Sequence, residues 1–361
     1  MVTSEKNIQM IMELADAFGP SGFEDDVLTV ARKWAEGLGT IEEDHMRNLY
    51  IHRKENTGNK PVIMLDAHSD EVGFMIHSIK PNGTLRFVTL GRFANITMSS
   101  ADVLVRNALG EYIPGVIAAK PVHFMSESER AKGGVPEISS MVIDIGATSA
   151  EEAVNRFHIR IGEPGVPATK CRYDAENDVM FGKGFDCRIG CAAVIETLRR
   201  LEGMDLPCDV IGVLSSQEEV GERGCKVSVK HANPSIAFVF EGCPADDTFT
   251  EPYAIQTALK KGPMLRFMDV SVICSPRYQR YVLDLASEKG IAAQASVREG
   301  GGNNGAIINT ALDGTPVVVA GVPTRYIHSM NCITSGYDFE ETVKLAVATV
   351  TSMTPEQIDK F

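Results

Sequence analysis

Several things are missing from this chain of 361 residues, and each absence excludes a class of protein. There is no Cys-x-x-Cys pair among its eight cysteines, so neither a cysteine-rich structural zinc site nor a disulfide framework is indicated. Such scattered cysteines read as reduced, mostly buried thiols. No apolar run approaches the ~18–20 residues that span a bilayer, so no membrane is expected. The opening residues Met1-Val2-Thr3-Ser4-Glu5-Lys6 show no basic region followed by an apolar core. A cytoplasmic location is the expectation. Basic residues are short of acidic ones, 35 against 48, for a net charge of −13. Such a surface repels phosphate backbones, and nucleic acid is not an expected partner. Neither a repeat of ~20–50 residues nor a low-complexity tract is visible.

What remains is an ordinary globular composition, 44% hydrophobic and 23% charged. A single core stops growing near ~250–300 residues, so one large domain and a smaller one are expected. Ser4 can cap a first helix with Ile8, Ile11, Met12, Ala15 and Phe18 at helical spacing, stopped by Gly19-Pro20. Ser21 and Glu24 form a capping-box pattern for a second helix. Thr40 to Lys54 reads as a hairpin, and Pro61 to Ala67 as a buried parallel strand. From Gly73 the pattern turns to short strands: a hairpin around Pro81-Asn82-Gly83, then Val103–Val105, Tyr112–Ala119 and Met141–Ile145. A polar loop, Ser126 to Ser140, lies among them. Ser149 and Glu152 cap a short helix. From Met180 the pattern is again α/β, with helices over Arg188–Leu201, Tyr281–Lys289 and Glu340–Ser352 and strands over Cys208–Leu214, Ile236–Phe240 and Pro316–Ala320. The predicted architecture is an α/β domain made of residues 1–71 and 166–361, interrupted by a β-rich insert over 72–165.

In open α/β sheets ligands collect at the carboxyl ends of strands. His68 and Asp70 follow the first buried strand, Glu218 and Glu219 the second, Glu241 the third, and His328 the fourth. Asp186 stands just before a helix. Each has a bland reading alone: Asp186 a helix cap, the Glu pair a solvated charge run, either histidine a satisfied core or surface residue. Their shared placement favours chemistry. Two imidazoles and three carboxylates suit hydrolytic zinc, cobalt or manganese, and two cations sharing a bridging carboxylate need about five such ligands. Asp70, two residues after His68, can hold the second imidazole nitrogen. His45, His52, His77, His123, His158 and His231 lack this placement and are expected to be structural. Gly300-Gly301-Gly302-Asn303-Asn304-Gly305 lacks the Lys-Ser/Thr ending of a P-loop and the Rossmann spacing. It reads as a tight loop bringing backbone near the site.

These residues sit in a recognisable order. The stretches are Phe18–Glu24, Asp66–Phe74, Gly115–Pro121, Gly182–Cys191, Gln217–Gly224 and Pro323–Ser329. With them the chain resembles the co-catalytic metallo-aminopeptidases that include bacterial glutamyl aminopeptidases and the self-assembling tetrahedral (TET) aminopeptidases. The resemblance implies a three-layer α/β/α catalytic domain with an inserted, barrel-like dimerisation domain, and dimers that assemble into larger shells, often dodecamers. It implies two divalent ions, zinc first with cobalt or manganese as alternatives. His68 and Glu241 would hold one, Glu219 and His328 the other, and Asp186 would bridge. Glu218 would be the general base, and the Asp186–Cys187 peptide would be cis. Three positions depart from the pattern: Glu241 stands where Asp is common, Asn303-Asn304 replaces Thr-Asp, and Met330 replaces a proline after His328-Ser329.

The expected activity is removal of N-terminal residues from short peptides. A related dizinc carboxypeptidase or N-deacylase shares the ligand order and is the nearest alternative. A glycosidase is disfavoured, because adjacent Glu218 and Glu219 cannot easily flank one bond at ~5–9.5 Å. A non-catalytic metal-binding or assembly protein leaves the second glutamate of the pair unexplained.

Overall fold

The computed structural model describes residues 3–131, 133 and 136–361. Met1 and Val2, and Lys132, Gly134 and Val135 of the expected loop Ser126–Ser140, lie outside the described residues. The rest of that loop holds two short helical turns, Glu127–Ala131 and Ile138–Ser140.

Eleven strands build the main sheet. The chain enters through helices Glu5–Asp16 and Asp25–Ala35, then lays down β1 (Gly39–Glu43), β2 (Leu49–Arg53) and β3 (Val62–His68). It leaves for a closed barrel of β4 (Gly73–Ile79), β5 (Leu85–Leu90), β6 (Asp102–Arg106), β7 (Tyr112–Ile117), β8 (Ile143–Asp144) and β9 (Pro164–Pro167). It returns with β10 (Arg172–Asp174), β11 (Val179–Gly182), β12 (Asp209–Ser215), β13 (Ile236–Pro244), β14 (Met264–Met268), β15 (Gln294–Val297), β16 (Val317–Arg325) and β17 (Cys332–Ser335). The sheet order is β1-β2-β12-β3-β13-β16-β17-β11-β10, with β14 pairing β15 and β16. Its centre, β12-β3-β13-β16, is parallel. Those four strands are the predicted buried runs.

Strand alternation divides the interior into two layers. Ile63, Leu65 and Ala67 of β3, with Phe238 and Phe240 of β13, face the helices Phe185–Arg200, Glu5–Asp16, Asp25–Ala35 and Gly336–Ser352. Met64, Ala237 and Val239 face the other way, toward helix Cys225–Ala232 and Ile308. The result is a three-layer α/β/α sandwich. The barrel has its own core around Phe74, Phe87, Val103, Ile117 and Ile143.

Local signals mostly act as read. Ser4 Oγ accepts from the Asn7 N–H at 3.2 Å, and Ser149 Oγ from the Glu152 N–H at 3.1 Å. The capping box at Ser21 and Glu24 does not form. Ser21 Oγ instead donates to Asp70 Oδ2 at 2.6 Å, and buried Glu24 Oε1 accepts from the N–H groups of Gly22 (2.8 Å) and Gln217 (3.2 Å). Helix Asp25–Ala35 starts with no side-chain cap. Two long-range contacts beneath the strand ends thus outcompete one local cap.

Candidate metal centre

Parallel register brings the strand ends together. Ser215, at the end of β12, lies opposite His68, at the end of β3, and Glu241 follows on β13. The next loop must then turn two adjacent glutamates to one side. Gln217 does this with a left-handed backbone (φ 53°), and the loop closes on Glu218 through the N–H groups of Gly221 and Glu222, each at 2.9 Å. His328 also has positive φ, 57°, which turns its ring back over the sheet.

Asp186 is the hub. One carboxylate oxygen lies 3.0 Å from His68 Nε2 and the other 3.1 Å from His328 Nε2. Glu241 Oε1 is 3.2 Å from His68 Nε2, Glu219 Oε1 is 3.4 Å from His328 Nε2, and Glu218 Oε2 is 3.9 Å from His68 Nε2. All five expected ligands and Glu218 therefore converge. They fall into three overlapping groups: His68, Asp186, Cys187 and Glu241; Asp186, Glu219 and His328; and His68, Glu218 and Glu219. The Asp186–Cys187 peptide is cis. Asp186 and Cys187 depart from helical geometry at the head of helix Phe185–Arg200, so regular helix begins at Arg188 as the sequence suggests.

Asp70 has a different emphasis from the one expected. His68 Nδ1 lies 3.1 Å from the Asp70 backbone carbonyl and 3.4 Å from its carboxylate. The carboxylate is occupied elsewhere: it accepts from Ser21 Oγ, from the Glu218 N–H at 2.9 Å and from the Glu219 N–H at 3.2 Å. Asp70 therefore ties the Glu218–Glu219 turn to the His68 loop. A buried ionic group holds the Asp186 loop. Lys183 Nζ is 2.6 Å and Arg188 Nη2 is 3.2 Å from Glu71 Oε1, and Arg188 also donates to the carbonyls of Leu14, Ala17 and Gly19.

The electrostatics are those of crowded acids. Burial and the charge of Asp186 push the Glu241 carboxyl up to about 8. Burial, with Glu241 and Glu219 nearby, raises Glu218 well above the carboxylate range despite His68. Burial opposes charge on His328, yet Glu219 and Asp186 carry its imidazole up to about 11. Among the described residues, buried Glu219 Oε1 makes no hydrogen bond and stands 3.4 Å from His328 Nε2. A clustered set of carboxylates and imidazoles, with a buried carboxylate oxygen that has no hydrogen bond among the described residues, fits divalent cations of borderline hardness.

The cluster opens into a cleft of about 780 Å³, floored by Asp186, Glu218, Glu219 and Glu241 and rimmed by Gly300–Gly302. The glycine loop approaches the site as expected. Asn303 and Asn304 are buried behind it: Asn303 donates to Asp269 at 2.8 Å, and Asn304 to Asp66 at 2.8 Å and Ser215 Oγ at 2.7 Å. Three arginines that the sequence does not single out also line the cleft: Arg92, Arg266 and Arg298. Arg266 is paired with Asp269 and Arg298 with Asp246. A larger groove of about 910 Å³ runs along helices Glu5–Asp16 and Asp25–Ala35, but its lining has no histidine or cysteine.

Known proteins resemble this chain over nearly its whole length. The M42 glutamyl aminopeptidase family matches residues 48–345. The chain is 32% identical to the glutamyl aminopeptidase of Lactococcus lactis, over 96% of this chain and 97% of that one. The structure of a TET aminopeptidase from a marine sediment Thaumarchaeota archaeon superposes with a TM-score of 0.94 at 34% identity, covering 99% of both chains. The Pyrococcus horikoshii TET1 peptidase, which can assemble into a tetrahedron or a large octahedral shell, superposes with a TM-score of 0.86 at 28% identity, covering 96% of this chain and 100% of that one. The chain belongs to the M42 glutamyl aminopeptidase family and is a metallo-aminopeptidase.

Proposed function

We propose that the strand-end cluster is a dinuclear centre that cleaves N-terminal residues from short peptides. His68 and Glu241 would hold one divalent ion, Glu219 and His328 the other, and Asp186 both. The observation that carries this reading is the Asp186 carboxylate with one oxygen toward each histidine, beside the buried Glu219 Oε1 at 3.4 Å from His328 Nε2. Zinc is the first choice, with cobalt or manganese as alternatives. The ions, when bound, would polarise the scissile carbonyl and lower the pKa of water toward neutrality.

The chain's own groups supply the rest. Glu218 faces the cleft and is not needed as a ligand, so it takes a proton from the attacking water and delivers it to the leaving amine. Such acid–base catalysis contributes roughly 10²–10⁴ in rate. Asp70, through the N–H groups of Glu218 and Glu219, fixes the base relative to His68. Arg92 has no ion pair among the described residues and lines the cleft. It offers a cation to an acidic N-terminal side chain, in keeping with the glutamyl preference named for the Lactococcus relative.

The barrel is the proposed dimerisation element, with dimers building a dodecameric or larger shell in the cytoplasm. A test of the catalytic reading combines metal analysis with paired substrates. The purified protein should carry up to two divalent ions per chain. Chelation should abolish hydrolysis of a free-amine peptide, replenishment should restore it, and the N-acetylated peptide should remain uncleaved. Preferential cleavage of the acetylated peptide would instead favour an N-deacylase.

A further inference from the structure

Two histidines outside the strand-end cluster meet on the surface of the β1–β2 hairpin. In its register Glu42 faces Tyr50 and Thr40 faces His52. Side chains two residues apart share a strand face, so Glu42, Tyr50 and His52 lie on one face. His231, in the last turn of helix Cys225–Ala232, comes down on the same face. Its ring centroid is 4.2 Å from that of Tyr50, and the Tyr50 hydroxyl is held by donation to Asp44 Oδ2 at 2.6 Å. His52 and His231 both direct Nε2 at one atom, Glu42 Oε1, each at 2.7 Å. The three donor atoms lie within 4.8 Å of one another. His52 pairs with Ile211, four residues before Ser215 on β12, which sets it back by ~13 Å along the strand from the catalytic end.

We propose that Glu42, His52 and His231 form a second metal site, for one borderline divalent ion of the zinc, nickel or copper class. Two imidazoles and a carboxylate without thiolate select such ions over magnesium or calcium, which take oxygen ligands. Two neutral rings can share one carboxylate oxygen only if both Nε2 atoms carry hydrogen. A divalent ion takes the place of those two hydrogens, and each ring then carries its proton on Nδ1. Tetrahedral ligands at ~2.0–2.1 Å from zinc are about 3.3 Å apart, so the trio must open slightly. Its side chains are 31–44% exposed, which leaves room to do so. Water fills the remaining coordination position. No further hydrogen bond braces either ring among the described residues, so binding is weaker than at a fully supported site. The net charge of −13 adds a general attraction for cations.

Calorimetric titration of zinc into the enzyme already loaded with its catalytic metals tests the site. One additional binding event is expected in the wild type. It should weaken by at least about tenfold in His231→Ala and in Glu42→Gln, and be unchanged in Lys230→Ala. Added zinc should raise the melting temperature of the wild type but not of His52→Ala/His231→Ala, while peptide hydrolysis with the catalytic site loaded stays the same in all variants. The comparison is between wild type and surface variants, so it is read out whether or not the strand-end cluster binds two ions. Should a histidine variant fail to fold, the near-isosteric Glu42→Gln carries the comparison. Equal zinc uptake by wild type and variants, or no uptake beyond the catalytic metals, overturns the proposal.

Discussion

Glu218 and Glu219 are adjacent, yet one lies toward His68 and the other toward His328. The left-handed Gln217 makes this possible, and in the proposed mechanism it separates proton handling from metal binding. Glu218→Gln keeps size and removes the proposed base. Metal content and inhibitor binding should be retained while turnover falls about 10²–10⁴-fold. Glu219→Gln should lose one ion or bind it weakly. Metal loss in the first variant and retention in the second would reverse the two roles. Gly242 tests the hub from behind. A Cβ there would meet the Asp186 Cα at 2.7 Å, the Phe185 carbonyl at 2.8 Å and the Asp186 N at 2.9 Å, all backbone atoms that cannot swing aside. Gly242→Ala should therefore displace Asp186 and lower metal occupancy in elemental analysis, with the fold intact by circular dichroism. At this scale the convergence of His68, Glu219, Glu241 and His328 is readable because each follows an apolar run that ends at one rim of the sheet, whereas Asp186 is marked by the helix start beside it. The second partner of His68 was not, because whether a backbone carbonyl or a carboxylate lies nearer Nδ1 depends on what else claims the carboxylate. Arg92, Arg266 and Arg298 gave no sign, since an arginine in a cleft and one in solvent read alike in sequence.

Elements were readable where burial dictates them. The four central parallel strands are continuous apolar runs, and each was recognised. The short strands β10, β11, β14, β15 and β17 carry three to five residues each and lack such runs. Their pairing is imposed by neighbours that a linear reading does not see. The missing cap at Ser21 has the same origin, as Asp70 lies 49 residues away. Helix Phe185–Arg200, which carries Asp186, is anchored at its far end by Arg200. That guanidinium makes two parallel 2.8 Å hydrogen bonds to Glu340 of helix Gly336–Ser352. Burial works to raise the Glu340 pKa, but Arg200 prevails and holds it below the usual carboxylate range. A depressed folded pKa means stability that is present above the unfolded value of ~4.3 and lost as pH falls through the folded one. Glu340→Gln should cost about 1–2 kcal/mol at neutral pH in denaturant unfolding. The gap between wild type and variant should close below pH ~4. A gap that stays constant down to acid would show that packing, not charge, accounts for the loss.

At the scale of the whole molecule, the barrel poses the remaining question. It contributes Arg92 to the cleft rim, but none of the converging acids and imidazoles. It also presents large apolar side chains to solvent: Ile96 is 73% exposed, Val122 55% and Phe124 74%. Val122 and Phe124 share one short helical turn at the barrel's edge. Val122 and Phe124, two exposed apolar side chains on one turn, are where a second copy meeting the proposed dimerising barrel is first tested. Sedimentation at micromolar concentration should then show a dimer or a multiple of it, rather than a 39.2 kDa species. Replacing both residues, Val122→Glu with Phe124→Glu, places like charges on both sides of a symmetric contact. The variant should sediment as a smaller species while retaining metal and cleavage of a free-amine dipeptide, because the barrel edge and the strand-end cluster share no residue. A wild-type monomer would remove the basis for a dimerising barrel. An unchanged assembly in the double variant would move the interface off this edge, with the exposed residues of β14 and β15, Met268 and Val297, as the next surface to alter.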